Sequence, residues 1–143
     1  MVGLVVATHG RLGEELLATA AAVCGPLPQA RAVSLSSAQS MEESRGALAG
    51  AIEAVEGGQG VLVLTDMFGG TPSNLALTFL DARIEVVTGV NLPMLLKLST
   101  ARGEGSTLAA TAELLCAYGQ KNITLASQLL RSRAEKGPRG KGP

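Results

Sequence analysis

"GVLVLTDMFGGTPSN", Gly60–Asn74, is the stretch on which the fold turns. Its first six residues are apolar at nearly every position, the pattern of a strand covered on both faces in a parallel sheet. Asp66 follows the strand, then a loop with two glycines. In "TPSNLALTFLD" Thr71 is an N-cap candidate, and Pro72 falls at the first helical position, where its missing N–H costs nothing. Strand, loop and helix in that order are half of a βαβ unit. The opening "VGLVVATHG" has the same layout. Here His9, the single histidine of the chain, stands where Asp66 stands later, and "RLGEELLATAAAVC" supplies the helix.

Two further runs, "RAVSL" from Arg31 and "IEVVTG" from Ile84, read as strands. They carry more polar residues and are expected nearer a sheet edge. The first helix places Leu12, Leu16, Ala20 and Val23 on one face and stops at "GPLP". "SMEESRGALAGAIEAVEGG" starts on Ser40, with Glu43 in capping-box spacing. "NLPMLLKLSTARG" sets Pro93 in a first turn. "STLAATAELLCAYGQKNITLASQLLRSR" reads as largely helical, with a break at Gly119 and "KNITLA" equally readable as a short strand. Strands and helices alternating every thirty residues or so imply right-handed βαβ crossovers. The expected class is α/β: an open doubly wound, mostly parallel sheet with helices on both faces. Residues 1–131 form one domain, and the Gly/Pro/Lys/Arg-rich residues 132–143 are expected to be a disordered tail.

Composition agrees with one globular domain. The chain has 143 residues, 46% hydrophobic and 17% charged, enough for one core. With 2% aromatic residues and no tryptophan, that core must be built from Ala, Leu and Val. Twelve basic residues balance twelve acidic ones, so charge gives no reason to expect nucleic acid or an anionic membrane as partner. Cys24 and Cys116 stand far apart with no CxxC spacing, and read as small buried hydrophobes. No signal segment opens the chain and no apolar run approaches the ~18 residues of a membrane span, so a cytoplasmic location is expected.

Ligands of open α/β sheets bind outside the carboxyl ends of the strands, where strand order reverses. His9 and Asp66 both occupy such ends. Neighbouring strands lie ~4.8 Å apart, which puts an imidazole–carboxylate hydrogen bond within reach if the first and third strands adjoin. Such a bond fixes the ring tautomer and leaves the other nitrogen's lone pair outward, as a directed nucleophile. Gly69 and Gly70 let a tight loop bring backbone N–H groups near an anion, the helix start favours phosphate, and Thr71 can add a hydroxyl. The loop lacks the lysine and spacing of a nucleotide-binding P-loop, so a single phosphoryl group is the better fit, with no metal and no cofactor. Each residue also has a structural reading: a strand-end histidine, a loop-capping aspartate, an ordinary helix entry. Arg11, the nearby cation, reads as a solvated helix-start residue.

At these residues the chain resembles the enzyme IIA domain of the mannose-type, phosphoenolpyruvate-dependent sugar phosphotransferase system. "VVATHGRLGEELL", "GVLVLTDMFGGTPSNLA" and "VVTGVNLPMLL" match that family in order and spacing, from Val2 to about Leu130. The resemblance implies that His9 is phosphorylated by a phosphocarrier protein and passes the group to a IIB component, and through it to a sugar. It implies that Asp66 orients the histidine and that Gly69, Gly70 and Thr71 contact the phosphate. A membrane permease would be met only indirectly. Family members are similar homodimers in which a C-terminal strand often crosses to the partner, and "KNITLA" is the candidate for it. A regulatory role is the alternative, with phospho-His9 read by a binding partner. Histidine phosphatases start "RHG", but Thr8 replaces that arginine and the second histidine they use is absent. The phosphoryl-donor subunit of dihydroxyacetone kinase shares the fold but starts nearer "SHS".

Overall fold

The computed structural model describes residues 1–103 and 105–136. In chain order the elements are β1 (Gly3–His9), α1 (Leu12–Cys24), β2 (Ala30–Leu35), α2 (Met41–Val55), β3 (Val61–Thr65), α3 (Thr71–Leu77), β4 (Ile84–Thr88), α4 (Leu92–Ala101), α5 (Leu108–Lys121) and α6 (Ala126–Glu135). The strands form one parallel sheet in the order β2-β1-β3-β4. The two apolar runs are the inner strands: β3 is buried throughout and β1 is buried up to its last residue. The two more polar runs are the edges.

Side chains of a strand alternate between faces, and β1 divides the core accordingly. Leu4 and Val6 join Leu62, Leu64 and Val87 under α1, α4 and α5. Val5 and Ala7 join Val33, Leu35, Val61 and Val63 under α2 and α3. Each fully buried Val or Leu contributes roughly 1.5–3 kcal/mol, so both faces must be roofed. From β1 the chain passes through α1 to β2 on one side, then returns through α2 to β3 on the other. Strand order therefore reverses between β1 and β3, and a crevice opens at their carboxyl ends.

Caps fix several boundaries. At the start of α2 Ser40 Oγ accepts the main-chain N–H of Glu43 at 3.0 Å, and Glu43 Oε1 accepts that of Ser40 at 2.8 Å. Asn91 accepts from the N–H of Met94 at α4, and Pro93 lies in the first turn. At the far end of the sheet the buried Arg102 guanidinium donates to the carbonyls of Val2 and Pro28, at 2.9 and 2.6 Å.

The structure differs from the sequence reading in several places. The inward face of α1 is Gly13 and Ala20, flanked by half-buried Leu16 and Leu17, while Leu12 and Val23 are exposed. Cys24 and Cys116 are exposed: Cys24 ends α1 with Sγ turned back to Ala20 O, and Cys116 follows the buried Leu115 on the outward side of α5. Gly119 does not break α5. A Cβ there would stand 2.7 Å from Met94 Sδ, so the glycine serves close approach of α4. In "KNITLA", Lys121 ends α5 and Ala126 starts α6, with no strand between them. Helix α6 continues to Glu135, through the first residues of the expected tail, and residues 137–143 lie outside the described residues.

Candidate functional site

His9 is the last residue of β1, paired in register with Leu35 of β2. Asp66 follows the last residue of β3. Because β1 and β3 are hydrogen-bonded neighbours, both side chains reach the reversal crevice. His9 Nδ1 lies 2.8 Å from Asp66 Oδ2, and the same oxygen accepts the main-chain N–H of His9 at 3.1 Å. A carboxylate only accepts, so Nδ1 carries the hydrogen and Nε2 holds the free lone pair.

The pair is asymmetric in exposure. The imidazole is 51% exposed and the carboxylate 12%. Burial by itself pushes the Asp66 carboxyl up, and its second oxygen, Oδ1, is buried without a hydrogen-bond partner. The hydrogen bonds from the His9 ring and main chain, with the charge of the ring, outweigh burial and hold the carboxyl below its ordinary value. Asp66 is thus an anion at neutral pH, poised to stabilise positive charge on the ring.

The glycine loop closes the other side. Gly69 has φ +99°, a left-handed conformation that glycine adopts without strain. A Cβ on Gly70 would fall 2.5 Å from His9 Cε1 and 3.0 Å from Nε2, so only glycine lets the backbone lie against the reactive edge. The helix entry differs in detail from the sequence reading. Gly70 is the N-cap of α3, Thr71 the first helical residue and Pro72 the second. No side chain caps α3; fully buried Ser73 braces the loop, its Oγ accepting from Gly69 N–H at 2.8 Å and donating to Gly70 O at 3.3 Å. The Gly69 N–H is therefore already satisfied. The structure brings His9, Asp66, Gly70 and Thr71 together at the crevice, and Gly69 precedes the N-cap in the same loop.

Beside His9 a cleft of about 350 Å³ runs between Thr71 and the β2–α2 connection, lined there by Ser36 and Gln39 of the loop and Met41 and Ser44 of the first turns of α2. The sequence reading left these out. The signal was "SSAQS", Ser36–Ser40, which follows the carboxyl end of β2, the same end of the sheet at which His9 and Asp66 stand. Met67 and Phe68, 53% and 71% exposed, come directly after Asp66. Arg11 is on the surface, bonded to Glu14 and Glu15. Among the described residues no group of three or more His, Cys, Asp or Glu could hold a metal ion, and no helix is long and apolar enough to cross a membrane.

Residues 3–115 match the EIIA-man family, described as the PTS system fructose IIA component. The chain is 27% identical over 124 residues to the PTS system mannose-specific EIIAB component of Escherichia coli, across 85% of the chain and 38% of that protein. It thus spans well under half the length of that relative. Among solved structures it is similar to the mannose/sorbose specific IIA subunit of the phosphotransferase system from Enterococcus faecalis, at 29% identity and a TM-score of 0.78, covering 87% of this chain and 93% of that one. It is also similar to the PTS IIA protein associated with the fucose utilization operon of Streptococcus pneumoniae, at 28% identity and a TM-score of 0.78, covering 91% and 99%.

Proposed function

Since the chain belongs to the EIIA-man family of sugar phosphotransferase system IIA components, we propose that it is a phosphoryl carrier charged on His9 Nε2. The observation that carries this reading is the 2.8 Å bond from His9 Nδ1 to Asp66 Oδ2, which leaves Nε2 as the nucleophile at the cleft. A phosphocarrier protein is the donor. The lone pair of Nε2 attacks phosphorus in line, the phosphorus–nitrogen bond in the donor breaks, and the donor ring recovers its electron pair. The hydrogen on Nδ1 stays in place, and Asp66 stabilises the ring as its charge grows. The IIB component then repeats the step as acceptor and carries the group toward a sugar.

Positioning and charge stabilisation do the work in such transfers. The group must also leave again. Neutral donors, the Thr71 hydroxyl and the backbone at Gly70, suit a carrier better than a clamp of arginines. Residues 1–131 are the carrier unit and act as a homodimer. The test is incubation with phosphoenolpyruvate, enzyme I and carrier protein, followed by mass spectrometry for an acid-labile phosphate. Wild type gains one phosphoryl group on His9 and His9→Ala gains none. Full labelling of the alanine variant overturns the assignment.

A further inference from the structure

The wall of the cleft formed by the β2–α2 loop holds a side-chain amide of fixed orientation. Gln39 Oε1 accepts the main-chain N–H of Ser36 at 3.2 Å and the hydroxyl of Ser44 at 3.4 Å. A main-chain N–H can only donate, so the atom facing Ser36 must be the carbonyl oxygen, and this settles which way the amide lies. Ser44 is 3% exposed and holds the same oxygen from behind. The Nε2 amide group of Gln39 has no hydrogen-bond partner among the described residues, and Gln39 lines the same cleft as His9 and Thr71. Among the described residues no lysine or arginine lines it. A phosphoryl group carries roughly −1.5 to −2 charge at neutral pH and needs hydrogen-bond donors on more than one side.

We propose that Gln39 is a phosphoryl-binding residue: its locked amide donates from Nε2 to the oxygens of the group on His9, opposite Thr71. This rests on the phosphoryl-carrier reading. A neutral amide holds the group while it resides and releases it without the barrier a salt bridge would impose.

The experiment uses the full chain, labelled with nitrogen-15 and charged from phosphoenolpyruvate through enzyme I and carrier protein. Charging is expected to shift the Gln39 side-chain amide resonances downfield. Gln39→Glu keeps an oxygen for Ser36 N–H but removes the donor, and is expected to lower the charged fraction at equilibrium with the carrier at least tenfold. Gln39 resonances unmoved on charging, or Gln39→Glu charged as fully as wild type, overturn the proposal. The resonance readout decides the matter even if a variant fails to fold. A wild type that takes no label on His9 refutes the carrier reading itself, a different result from a labelled wild type with an unmoved amide.

Discussion

Oxygen Oδ2 of Asp66 receives two hydrogen bonds from one residue, the ring and the main chain of His9. In Asp66→Asn a neutral amide oxygen can take both, but the new NH2 then falls where Oδ1 is buried without a partner. An unsatisfied buried donor costs about 1–3 kcal/mol. The variant is expected to fold with lowered stability and to transfer the phosphoryl group roughly 10²-fold more slowly or worse, since the ring loses its anion. Rapid-quench kinetics with charged carrier measure this, and unchanged rates would reduce Asp66 to a loop cap. The same carboxylate sets a pH dependence. Its folded pKa lies below its ordinary value, so its stabilising contribution is complete above the ordinary carboxylate range and lost as pH falls through the lower folded value. Acid titration of the folded chain, followed by the His9 ring resonances, should therefore show the pair persisting below the range in which free aspartate protonates. Gly70→Ala tests the other side of the ring. Its Cβ would overlap Cε1, so His9 must rotate or the loop must move, and labelling should fall; at this N-cap position Ala is also less favourable than Gly.

At the scale of elements, burial and period were legible and the partners of loops were not. Apolar runs named the two inner strands, and polar interruptions named the edges, because a strand roofed on both faces has nowhere to place a charge. The reversal rule brought His9 and Asp66 within reach on the condition that the first and third strands adjoin, and β1 and β3 are paired. Helix faces were read less well. Counting from Leu12 put Leu16 and Ala20 inward, as they are, but also Leu12 and Val23, and it missed Gly13, on which α1 seats because small residues let a helix approach the sheet, and hydropathy does not register that. The bonds from Gly69 N–H to Ser73 Oγ and from Ser36 N–H to Gln39 Oε1 depend on loop geometry that spacing alone does not fix. The amino ends of the strands hold a similar device. Glu56, at the end of α2, accepts from the N–H groups of Gly58 and Gly60 at 2.8 and 3.0 Å and from the Arg83 guanidinium before β4. The Gly58 bond lowers its carboxyl most, against the opposing effect of burial, with Arg83 and Gly60 adding to the lowering. Glu56→Ala should lower unfolding free energy by about 1–2 kcal/mol, read by urea denaturation at neutral pH. His9 lies at the opposite ends of the strands, so labelling should not change.

The whole molecule poses a question at its C-terminal end. Helix α6 buries no residue of its own, and Ile123, Leu125, Leu129 and Leu130 are 77%, 62%, 40% and 63% exposed. A ten-residue helix is marginal in water without packing, and leucines at 125 and 129 share one face. Leu114 on α5 is also exposed, at 41%. The homodimer proposed above gives these side chains a place to go. If a second copy covers them, the full chain sediments as a dimer, and a chain ending at Thr124 sediments as a monomer that keeps its sheet, since α6 contributes nothing to either core layer. The truncated chain should still be labelled on His9, because every group at that site precedes Ala76. Its thermal midpoint should become independent of concentration, as expected once association is removed. A full chain that is monomeric at tens of micromolar, with the same midpoint as the truncated form, would show that α6 is a solvated end and that the dimer must be abandoned.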